Sequence, residues 1–159
     1  MAPVAGAAVG GPEVPEVDLA FHGDVSLYEG VVRVRFVPQN HGPMDVAGAT
    51  VRLRWSVPLV DARPLPDACL RSGADTVLCR TGALDAGSVG EPVEIVVRVA
   101  GERGAPGGPD GPDGPGEVGE VGEVGVRIGT EWNGGATDPN PRNNEHAVLA
   151  LDTGDAYYF

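Results

Sequence analysis

Residues 49–57 read ATVRLRWSV, and this stretch decides the fold class. Ala49, Val51, Leu53, Trp55 and Val57 share one phase of a two-residue period; Thr50, Arg52, Arg54 and Ser56 take the other. Side chains of an extended chain alternate between two faces, so this is a strand with one face buried. Pro58 closes it, because proline donates no ladder hydrogen bond. The same period recurs on both sides. Upstream, Val17, Leu19 and Phe21 alternate with Asp18 and Ala20, and Val32, Val34 and Phe36 with Arg33 and Arg35. Gly23 and Gly30 bracket a segment holding Val25, Leu27 and Tyr28. Downstream, Thr76 to Arg80 is a short strand, and Val93, Ile95, Val97 and Val99 alternate with Glu94 and Arg98 facing outward. Val124, Val126, Ile128, Thr130 and Trp132 resume the period, and Ala147, Leu149 and Leu151 alternate with His146, Val148 and Ala150. Gly, Asn, Asp and Pro mark turns at 39–43, 84–87, 133–135 and 138–144. About seven strands and no helical segment predict an all-β, Ig-like antiparallel β-sandwich. Trp55 and Trp132 both fall on inward phases and are expected in the core.

Composition agrees. Gly (25) and Pro (15) fill a quarter of the 159 residues, a load that a helical bundle does not carry. Aromatics are 5% of the chain, so the core is built from Val, Leu, Ile and Ala. All 11 basic residues are Arg, against 23 acids, and the net charge of −12 excludes nucleic acid or an anionic membrane as partner. No apolar run approaches the ~20 residues of a membrane-spanning helix. The Lys-free vocabulary of Ala, Gly, Val, Arg and Pro points to a high-GC bacterial genome.

The chain divides into three parts. Residues 1–16 hold three prolines and no period, and read as a flexible or extended arm. Residues 17–152 are the sandwich, interrupted at 101–125 by a low-complexity loop with ten Gly, four Pro and six acids. Its Gly-every-third pattern breaks phase twice, whereas a collagen helix needs strict register, so it reads as a solvated, slippage-expanded loop. Residues 153–159 form an aromatic tail that ends Tyr157-Tyr158-Phe159.

Cys69 and Cys79 are the two cysteines. An even pair in a small β-rich chain predicts a disulfide and an oxidising, extracellular setting; two buried thiols in a cytosolic protein are the alternative. Closing a loop of that size stabilises by roughly 3 kcal/mol in the chain-entropy account. The start, MAPVAGAAVGG, lacks a basic, apolar signal peptide and reads as a mature secreted N-terminus behind an added Met.

The order of DLAFHGD, GVVRVRFVPQNHGP, ATVRLRWSVP, TVLCRTGALDAG and DPNPRNNEHAVLAL resembles the bacterial Ig-like repeat modules of the DUF11 and CARDB type. The match lies in Asn40-His41-Gly42-Pro43, in Cys79 before Leu84–Gly87, and in Asp138, Asn140, Asn143 and Asn144 before the last strand. The resemblance spans roughly 17–152 and implies an Ig-like sandwich in an extracellular setting, with no catalysis. Such modules occur in tandem; the single copy and the acidic insertion depart from that pattern and point to a free subunit.

No catalytic constellation stands out. His22, His41 and His146 lack metal-ligand spacing, no Ser sits in a nucleophile elbow, and no Gly-rich loop leads into a helix. Asp138 to Asn144 offers one carboxylate to a calcium ion that wants six to eight oxygens; holding the turn before the last strand is the alternative role. No cofactor, metal or enzyme activity is expected. The expected function is a secreted protein–protein interaction or assembly module. Its arm (Val4, Val9, Val14) docks by strand addition or in a groove, and Tyr157, Tyr158 and Phe159 anchor a second contact. In size, class and setting it is similar to the small Ig-like adaptors that join a scaffold to a lectin in umbrella-shaped antibacterial toxin particles. Carbohydrate or cell-wall binding is the alternative, and an exposed Trp55 or Trp132 is the feature that favours it.

Overall fold

The structure is a computed structural model and describes residues 16–60, 64–100, 122–133, 135, 138 and 144–159. Among them the chain forms ten strands: β1 (Leu19–Tyr28), β2 (Val31–Asn40), β3 (Thr50–Trp55), β4 (Cys69–Arg71), β5 (Thr76–Arg80), β6 (Ser88–Val89), β7 (Val93–Arg98), β8 (Glu123–Trp132), β9 (His146–Leu151) and β10 (Tyr157–Tyr158). Seven are five residues or longer, and β4, β6 and β10 are short additions. One sheet runs β10-β1-β2, with β6 and β7 both pairing the far side of β2; the other runs β4-β5-β3-β8-β9. Every ladder between them is antiparallel. The two sheets pack as the all-β sandwich that the alternation predicts.

The core follows from the same period. Phe21, Val25, Leu27, Val32, Val34, Phe36, Ile95 and Val97 from the first sheet meet Val51, Leu53, Trp55, Val77, Cys79, Val124, Val126 and Ile128 from the second. Phe21 and Phe36 pack edge to face at 5.9 Å. β1 and β2 are joined by Glu29-Gly30, both at positive φ (49° and 78°), the two-residue turn whose twist matches a hairpin.

Four expectations change. Gly23 does not interrupt a strand: β1 runs through it, and a Cβ there would lie 1.9 Å from the Arg35 carbonyl oxygen. The interruption expected at 101–125 ends earlier, because Glu123 already opens β8; residues 101–121 lie outside the described residues. Trp132 is not in the core. Thr50 pairs Trp132 while Val51 pairs Thr130, so Glu131 is one residue too many and forms a β-bulge. The extra residue reverses the inside–outside phase, and Trp132 leaves on the outer face with Thr50. The tail of residues 153–159 is part of the first sheet through β10.

Candidate functional site

Asn40, Gly42, Leu84, Asp138 and Asn144 converge on the start of β1. Asn40, fully buried, accepts at Oδ1 from the backbone N–H groups of Gly42 (2.9 Å) and Asp18 (3.3 Å). Its Nδ2 donates to the carbonyls of Met44 (2.8 Å) and Leu84 (3.1 Å). Gly42 lies against Val17, where a Cβ would come within 2.6 Å of the Val17 Cα. Ahead of β9 in the chain, Asp138 Oδ2 accepts from the Leu19 N–H (3.0 Å) and from Asn144 Nδ2 (2.8 Å). Below this network sits a second apolar cluster of Val17, Leu19, Val46, Ala49 and Leu84. Asp138 therefore holds the backbone at the start of β1 and is itself held by Asn144, a different segment from the turn before the last strand that was the expected alternative to calcium. Asn140 and Asn143 lie outside the described residues. Among the described residues no three His, Cys, Asp or Glu side chains stand together as a metal-holding group. His22 and His41 are exposed, and His146 packs on Phe159 at 5.2 Å.

Cys69 and Cys79 are joined and stand directly opposite each other in the β4–β5 ladder. The bond ties the stretch that follows Pro64 and Pro66 to the core face of β5, where Cys79 lies beside Val77 and Cys69 packs against them. No helix among the described residues is long and apolar enough to cross a membrane.

Of the residues expected to meet partners, Val4, Val9 and Val14 lie outside the described residues. The three terminal aromatics separate. Tyr157 pairs Val25 and Tyr158 pairs Asp24, while Gly23 and Phe159 exchange two backbone hydrogen bonds of 3.1 and 3.0 Å. Tyr157 and Phe159 pack against the core, and Tyr158 is 78% exposed. β9 and β10 end their sheets on the same side of the sandwich, in contact with each other. On β9 the inward phase is Val148 and Ala150, so Leu149 (54% exposed) and Leu151 (43%) face solvent. Leu149 and Leu151 are thus exposed on the outer face of one sheet and Tyr158 on the outer face of the other, at the edge where β9 and β10 meet.

A cleft of about 650 Å³ opens elsewhere. Its walls come from both sheets: Thr50, Arg80 and Trp132 from the second, and the Glu91–Glu94 stretch leading into β7 from the first. Asp67, between Pro66 and Ala68, closes another side. Trp132 is 57% exposed here, against 1% for Trp55 in the core. Sequence reasoning missed this cleft, since only the Trp was in view and the bulge that turns it outward has no sequence signature of its own.

No family model matches the chain, and no curated protein matches it. Among solved structures it is similar to β-glucosidase 3B from Thermotoga neapolitana. Against the complex with α-D-glucose the identity is 14% and the TM-score 0.43; against the complex with glycerol they are 16% and 0.44. Each match takes in 90% of this chain and 17% of the enzyme. A likeness this slight does not carry the enzyme's chemistry across.

Proposed function

We propose that the protein is a secreted, non-catalytic assembly module that holds partner proteins in an extracellular bacterial complex. The observation that supports it is the side where the two sheets end. Exposed terminal strands are commonly protected by charge, proline or a bulge, whereas the outward residues of β9 are Ala147, Leu149 and Leu151. Tyr158 stands on the neighbouring terminal strand, and exposed aromatic and aliphatic side chains of this kind anchor protein interfaces. The Cys69–Cys79 bond fits an oxidising compartment. The order of motifs shared with the bacterial Ig-like repeats supports the same setting.

The finer form of the proposal is an adaptor with two attachments. One is the edge where β9 and β10 meet, with Leu149 and Leu151 on one outer face and Tyr158 on the other. The other is the segment 1–16, whose small residues stay uncharged until Glu13 and suit strand addition or a groove. A subunit joining scaffold to lectin in an umbrella-shaped antibacterial particle has this form. Recovery of partners with tagged protein tests it. Deleting 1–16 leaves the melting temperature nearly unchanged and abolishes recovery of one partner; Leu149→Arg with Tyr158→Ala abolishes recovery of the other. Equal recovery with all variants overturns the proposal.

A further inference from the structure

We infer that the cleft beside Trp132 is a binding site for a neutral saccharide. Three properties of the cleft carry this. First, the bulge at Glu131 places the exposed Trp132 among the lining residues of a concave site, in place of the core position that its strand period assigns. A pyranose has an apolar C–H face that covers an indole, so the pair removes apolar surface from water on both sides.

Second, the cleft carries polar side chains that the fold does not use. Among the described residues the side chains of Arg80, Asp67 and Glu91 make no hydrogen bond or ion pair. Their neighbours are engaged: Glu94 pairs with Arg33, and the Thr81 hydroxyl donates to the Gly82 carbonyl and accepts from the Ala49 N–H. A guanidinium and two carboxylates that are not engaged in holding the fold can meet vicinal hydroxyls, which donate to the acids and accept from the arginine. A purely apolar ligand would bury those groups without partners, at a cost of a few kcal/mol.

Third, charge selects among saccharides. One guanidinium stands against two uncommitted carboxylates, on a chain of net charge −12. Uronates and other acidic sugars are repelled, and neutral ones are not. The volume lies within the range of small-ligand sites, roughly 300–1,000 Å³, and takes one or two rings of a longer chain. This site is separate from the assembly side and does not depend on it.

The test uses the purified full chain without partner proteins. Neutral hexasaccharides of glucose, xylose and N-acetylglucosamine are titrated by calorimetry and by tryptophan emission, with hexagalacturonate as the acidic probe. At least one neutral probe binds saturably and shifts the emission, and hexagalacturonate does not. Trp132→Ala weakens that binding by about tenfold or more, Trp132→Phe retains part of it, and Leu149→Arg leaves it unchanged. Absence of saturable binding across the neutral probes overturns the inference. So does undiminished binding by Trp132→Ala at an unchanged melting temperature, or tighter binding of hexagalacturonate. If no neutral probe binds and Trp132→Ala loses a protein partner in the separate recovery experiment, the cleft is a protein-docking surface and the saccharide inference is overturned.

Discussion

At the scale of the residue, Asn40 and Trp132 show how similar sequence signals acquire different uses. Asn40 was visible in the sequence as turn chemistry, but its reach was not, because its partners are Asp18 and Leu84, far along the chain. Replacing it with Ala leaves the Gly42 and Asp18 N–H groups and the Met44 and Leu84 carbonyls without this partner. Equilibrium unfolding of Asn40→Ala is expected to lose about 2–3 kcal/mol. A loss within experimental error would show that water replaces the side chain. Trp55 and Trp132 occupy the same strand phase in sequence, and the structure separates them. Acrylamide is expected to quench about half of the tryptophan emission readily and the rest poorly, and Trp132→Phe should remove the accessible half. Trp55→Ala costs about 3–5 kcal/mol, whereas Trp132→Ala stays within about 0.5. Equal quenching of both would contradict the bulge.

At the scale of the element, the long strands were legible because burial imposes a period of two on each of them. The short ones were not. Two residues of β10 carry no period, and Tyr157-Tyr158-Phe159 becomes a strand only through pairing with Asp24, Val25 and Gly23. The alternation in β9 was visible too, but not which phase faces inward, since both phases are apolar. The pairing with β8 decides that by setting His146 opposite Ile128 and Ala150 opposite Val124. A chain truncated after Ala156 is expected to lose roughly 2 kcal/mol of stability, from the packing of Tyr157 and Phe159. Tyr158→Ala should lose almost none. Truncation without a shift in the urea midpoint would return the tail to a free extension.

At the scale of the whole molecule, the sandwich uses most of its aromatic residues inside and leaves a few outside in separate places. The all-β class and the disulfide followed from alternation, turn residues and cysteine count, since these depend on local chemistry. Surfaces did not follow, because a cleft or an apolar side is assembled from strands remote in sequence. The cleft joins β3, β5 and β8 to the approach of β7; the assembly side joins β9 to β10. We propose that this sandwich works by holding other proteins. Affinity recovery of the tagged protein from the cells and culture medium of its native host, with native mass spectrometry of the eluate, tests it most directly. The account predicts complexes of defined stoichiometry with one or more different secreted proteins. A clean monomer, recovered alone at physiological salt, would contradict it.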